Sequence, residues 1–117
     1  MQRLSAYAGL AYLCPHSYLS LHHTWGPWLA YRAVILFEEP LVTLEKPQPL
    51  PNPCPEALTS MQTAMAEALA TPKGPESWRK WLQVRDMCAL GKGYRYSEEQ
   101  ILYHYTKCRG LLEDLRR

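Results

Sequence analysis

The stretch Trp25–Pro40, WGPWLAYRAVILFEEP, decides how this chain is read. From Trp28 to Phe37 it is nearly unbroken apolar sequence, rich in aromatic and β-branched side chains. Both parities are apolar: Trp28, Ala30, Val34 and Leu36 on one, Leu29, Tyr31, Ala33, Ile35 and Phe37 on the other. Such a run predicts a central β-strand covered on both faces. Arg32 alone interrupts it, and a guanidinium buried without a partner costs several kcal/mol. A strand does not stand alone, so its neighbours must come from the rest of the chain or from another chain.

Working outward, residues 2–13 predict a helix with Leu4, Tyr7, Ala8 and Ala11 on one stripe, ended by Cys14-Pro15. Residues 15–27 read as a loop leading into the strand. Residues 40–55 hold six of the ten prolines and predict an extended connector lying along the fold or a partner. Residues 56–70 read as a helix with Leu58, Met61, Met65 and Leu69 as its apolar stripe, which suits core filling better than a binding groove. Residues 76–88 predict a second helix with Trp78, Trp81, Leu82 and Arg85 on one side. Ser97-Glu98-Glu99-Gln100 has the pattern of a capping box, which opens a last helix over 98–116. Its expected buried face is Ile101, Tyr105, Cys108, Leu112 and Leu115. The fold class is α+β: one central buried strand, a proline-rich connector and about four helices, with residues 1–117 as a single domain.

At 117 residues and 47% hydrophobic composition the chain is globular. Its net charge of +2 gives no basis for nucleic-acid binding. No apolar run reaches the roughly 18 residues of a membrane-spanning helix. The expected partners therefore include neither nucleic acid nor membrane. The N-terminal apolar run, interrupted by two Tyr and a Ser and lacking a small-x-small cleavage site, reads as a helix and not a signal peptide. Cys14, Cys54, Cys88 and Cys108 form no CxxC pair, so no metal or cluster site is expected, and reduced thiols in the cytoplasm are the default.

His22-His23 are adjacent and lack the helical spacing of a metal pair. His104 reads as structural or pocket-lining. No catalytic triad spacing is present, and the catalytic residues stay unassigned. Arginine says more: Arg32 in the apolar run, Arg85 on a Trp-lined helix face, and Arg109 near the end of the last helix. Guanidinium groups at such positions suit bidentate capture of carboxylates. The alternative is salt bridging to Asp86, Glu98 or Glu113.

Several segments together resemble a known family. HHTWGPWLAYRAVILFEEP is similar to the segment H-P-x-aromatic-G-x-W-x-A-x-R and following strand of the cobalamin-processing protein of methylmalonic aciduria and homocystinuria type C and its bacterial relatives. The proline connector ending at Cys54, the run Trp78-Arg79-Lys80-Trp81 with Arg85-Asp86, and Arg95-Tyr96-Ser97-Glu98-Glu99-Gln100 with Tyr103 follow in the same order. SAYAGLAY, residues 5–12, is a weaker echo. The collinear matches cover most of residues 20–112.

The resemblance implies a partial nitroreductase-like domain, more distantly similar to epoxyqueuosine reductase. It implies an oxidoreductase that binds cobalamin and removes its upper ligand, reductively with reduced flavin or by transfer to glutathione. Arg32, Arg85 and Arg109 would hold glutathione, while Trp28, Tyr96 and Tyr103 would cover the corrin. The family's N-terminal half of the sheet has no counterpart here, which implies an incomplete or minimal domain. A homodimer, or a second chain, would then complete the sheet. Two other readings follow: a non-catalytic partner-binding fragment of the same fold, and a reductase resembling epoxyqueuosine reductase without its iron–sulfur domain.

Overall fold

A computed structural model describes residues 1–39, 45, 47–108, 110 and 113. Its elements run α1 (Gln2–Tyr7), β1 (Tyr12–Leu13), β2 (Ser20–Leu21), α2 (Leu58–Ala70), α3 (Trp78–Asp86) and α4 (Glu98–Thr106). Single 3₁₀ turns at Pro55–Ala57 and Lys92–Tyr94 precede α2 and α4. The architecture is mixed α+β: the elements bounded among the described residues are four helices and a two-stranded antiparallel sheet, with Tyr12 opposite Leu21 and Leu13 opposite Ser20.

The helices form for local reasons. Pro55 occupies the first turn ahead of α2, where a missing N–H costs nothing and the fixed φ helps. On α2 the buried positions are Met61, Ala64 and Ala68. Ala64 and Ala68 meet Val84 of α3, and these small side chains let the two helices approach closely. At α4 the capping box is formed. The Gln100 N–H donates to Ser97 Oγ at 3.3 Å, and the Ser97 N–H donates to Gln100 Oε1 at 3.1 Å.

Two larger clusters make the core. One gathers Cys14, Leu21, Cys54, Ala57, Met61 and Cys88 around the small sheet and the start of α2. The other gathers Trp28, Trp78, Leu82 and Ile101 where α3, α4 and the incoming Gly26–Trp28 segment meet. What seats that segment is backbone against backbone. Gly26 (φ +54°) and Gly91 (φ +75°) are both left-handed. A Cβ on Gly26 would collide with the Leu90 carbonyl, and one on Gly91 with the Trp25 carbonyl. Glycine is required at both positions.

Several expectations are corrected. Trp28–Phe37 is not a strand and is not buried on both faces. Trp28 is buried, but residues 33–39 are exposed and residues 29–39 make no backbone hydrogen bond to another described residue. Among the described residues no strand lies alongside the run to pair with it, and apolar composition cannot supply one. The helix expected over 2–13 ends at Tyr7, because Gly9 turns left-handed (φ +72°), and Tyr12–Leu13 then enters the sheet. Leu4 and Tyr7 are exposed, and Ser5 is the residue α1 buries. Leu69 and Trp81 are likewise exposed. The helix expected over 98–116 is interrupted: α4 ends at Thr106, with Lys107 left-handed (φ 55°) at its C-cap, and Gly110 and Glu113 are helical again beyond the break. Cys108 is exposed, not buried. Leu112 and Leu115 lie outside the described residues.

Cys54 and Cys88 are joined in a disulfide with Cα atoms 6.4 Å apart. This corrects the expectation of four reduced thiols and removes the thiol argument for a cytoplasmic location. Cys14 and Cys108 are free. Among the described residues no helix is long and apolar enough to cross a membrane.

Candidate functional site

A cleft of about 250 Å³ opens beside the second core cluster, lined by Trp28, Leu29, Ala30, Arg85, Tyr96, Ile101, His104 and Tyr105. Each wall has a local cause. Trp28 and Leu29 enter through the Gly26–Gly91 contact. Arg85 stands in the last turn of α3, and Ile101, His104 and Tyr105 share the inward side of α4.

Aromatic rings order the walls. Trp28 meets Tyr96 edge-on, with centroids 5.6 Å apart and planes at 66°. Tyr96 stacks on His104 at 5.5 Å and 28°. On the far side Tyr105 stacks on Trp78 at 5.3 Å. Such pairs fix ring orientation beyond what apolar burial does.

The charges are more telling. Arg95 takes both oxygens of Asp86, Nε to Oδ1 at 2.9 Å and Nη2 to Oδ2 at 3.2 Å, and reaches Glu98 Oε1 at 2.8 Å. It also lies over the Trp28 ring, 5.5 Å from its centroid. Hydrogen bonds from Asp86, then from Glu98, raise its pKa further and keep it charged. These partly exposed ion pairs contribute about 1 kcal/mol or less each. Their consequence is occupancy: two carboxylates that Arg32 or Arg85 could have used are already taken.

Arg85 donates through Nη1 to the Pro27 carbonyl at 2.7 Å and makes no ion pair among the described residues. Arg32 is exposed, two residues beyond Ala30, and has no hydrogen bond or ion pair among the described residues. Both act on His104. Its pKa is lowered first by burial, then by the positive charges of Lys107, Arg32 and Arg85. The cleft is therefore an aromatic slot with cationic surroundings, suited to an anion that carries an apolar or flat portion.

Of the residues expected to bind a thiol cosubstrate, Arg85 lines the cleft; Arg32 is not in its lining, although its charge acts on His104, and Arg109 lies outside the described residues. Of those expected at the corrin, Trp28 and Tyr96 line the cleft. Tyr103 does not: it sits behind His104, 6.1 Å between centroids, with Lys107 Nζ 5.5 Å from its ring centre. Sequence reasoning left His104 uncommitted and missed Arg95 as the ion-pair centre. The spacing of Arg95 to Glu98, i to i+3 ahead of a helix, was the available signal.

His22 lies between His23 and Trp25, with ring centroids 4.2 Å and 4.1 Å away, and its Nδ1 accepts the Thr24 and Trp25 N–H groups. It holds a turn. Among the described residues no cluster of three or more His, Cys, Asp or Glu side chains could hold a metal ion. Comparison with family models, curated proteins and solved structures finds no match to this chain.

Proposed function

We propose that the chain is a corrinoid-binding protein that acts on the upper ligand of cobalamin, reductively or by transfer to glutathione. On this reading its α+β core is part of a nitroreductase-like domain, and Arg32 and Arg85 hold the carboxylates of the thiol cosubstrate. One observation carries the reading. Arg85 lines an aromatic cleft and the charge of Arg32 acts on His104 in its wall, while Arg95 occupies Asp86 and Glu98, the nearby carboxylates named above. The cleft volume falls just below the roughly 300–1,000 Å³ typical of small-molecule pockets. It would take the thiol and the upper ligand, with the flat macrocycle across its mouth. In alkyl transfer the thiolate sulfur takes the alkyl carbon, and the electron pair of the broken carbon–cobalt bond stays on cobalt. Reductive removal of cyanide would draw its electrons from a reduced flavin.

The test is a visible-absorbance titration of the purified chain with hydroxocobalamin and methylcobalamin, followed by glutathione. A saturable shift of the corrin bands, then glutathione-dependent loss of the methylcobalamin spectrum, is the expected result. Arg32→Ala should keep the first and lose most of the second. A flat titration on a folded protein overturns the corrinoid reading, and unchanged turnover in Arg32→Ala overturns the arginine assignment.

A second reading has its own observation. Val34, Ile35, Leu36 and Phe37 are 52%, 74%, 89% and 66% exposed, an apolar run with no cover among the described residues. This favours a partner-binding role, with or without catalysis.

A further inference from the structure

The exposed run has charges at its two ends, Arg32 on one side and Glu38 on the other. Residues 29–39 have no backbone pairing among the described residues, so their N–H and C=O groups are open to an added strand. We propose that this segment pairs antiparallel with the same segment of a second copy of the chain, about a two-fold axis at Ile35.

The register follows from pleat and charge. Residues directly opposite in an antiparallel pair share a face, so a two-fold pair must be centred on a residue. Centring on Ile35 sets Arg32 opposite Glu38 of the second copy, and Glu38 opposite its Arg32. The face between these ion pairs is closed by Val34 against Leu36, twice. The other face sets Ile35 on Ile35 and the small Ala33 against the large Phe37. A parallel pair would instead bring Arg32 alongside Arg32 and Glu38 alongside Glu38, which is repulsive. Antiparallel self-pairing thus satisfies the backbone, the apolar side chains and the end charges together. A single strand pair falls short of a standard-sized interface, so the dimer is concentration-dependent. The inference does not rest on the corrinoid reading, since its readout is oligomeric state. Arg32 links the two, because a carboxylate ligand and Glu38 of the second copy would compete for it.

The experiment is sedimentation velocity on the full 117-residue chain over a range of concentrations, with the charge variants Arg32→Glu and Glu38→Arg. Both positions are exposed, so the fold tolerates the changes. The unaltered chain should show a reversible monomer–dimer equilibrium. Each variant alone should dimerise at least about tenfold more weakly, the equivalent of about 1.4 kcal/mol. An equimolar mixture of the two should regain the dimer as a heterodimer, because both end pairs are then opposite in charge. A chain that stays monomeric at all concentrations overturns the proposal. So does a dimer that is indifferent to the charge reversals.

Discussion

Gly26–Trp28 and Val34–Phe37 belong to one stretch and lie only a few residues apart, yet they meet different surroundings. The first is sunk between α3, α4 and the Leu90–Gly91 turn, with Trp28 only 6% exposed. The second stands in solvent. Hydropathy would rank them the other way, since Val34–Phe37 is the more apolar. What separates them is whether the chain supplies a partner surface. For the first segment a pair of left-handed glycines lets two backbones touch, and a cluster of Trp78, Leu82 and Ile101 receives the indole. For the second no described element comes alongside. The difference teaches that an apolar run records a demand for burial, while the cover has to be found elsewhere.

Breaking the buried side should have the largest effect. Gly91→Ala puts a methyl group against the Trp25 carbonyl at φ +75°, and should cost about 3 kcal/mol or more, read as a fall in the urea midpoint. A loss under about 1 kcal/mol would mean that the two turns are not held in contact.

A smaller effect sharpens the cleft that the buried side creates. Burial and then the neighbouring cations lower the His104 pKa in the fold, so neutral His104 is the favoured form. Its contribution to stability is present above the unfolded value near 6.5 and is lost as pH falls below it. An anion bound between Arg32 and Arg85 would offset those cations and raise the His104 pKa. Glutathione should therefore bind more tightly as pH falls through this range, by no more than about tenfold per pH unit. The His104 ring protons, followed by NMR with and without glutathione, should titrate at higher pH in its presence. An unmoved titration would place the ligand elsewhere.

The smallest effect belongs to the exposed side. Leu36→Ser, in dilute protein where the monomer dominates, should change stability by no more than about 0.5 kcal/mol. A loss of about 2 kcal/mol would mean that the monomer itself covers this run.

What was legible in the sequence was what is decided locally. α2 and α3 follow from residue propensity and spacing, and the start of α4 from a serine and a glutamine three positions apart. Arg32 and Arg85 stood out because guanidinium groups in apolar surroundings need an explanation; Arg85 lines the cleft, while Arg32 is exposed. The rest depends on tertiary neighbours. One glycine at position 9 shortened α1 against an otherwise helical pattern. The contact of Gly26 with Gly91 joins positions far apart in the chain, and neither glycine has a local signature that names the other. Arg95 was passed over because its role as partner to Asp86 appears only once the turn after α3 has folded back.

The disulfide between Cys54 and Cys88 gives the molecule an unusual connectivity. Thirty-four positions apart, the two cysteines close a covalent ring that contains all of α2, all of α3 and the turn between them. Closing a ring of this length removes about 4 kcal/mol of freedom from the unfolded chain in the chain-entropy account. The remainder of the protein is two tails attached to that ring. One carries the sheet and the exposed apolar run, and the other carries α4 and its wall of the cleft. Scission at the exposed Lys73–Gly74 bond would thus open the ring without releasing either tail, and the cleft would keep both of its sides on one molecule until a reductant cut the second connection.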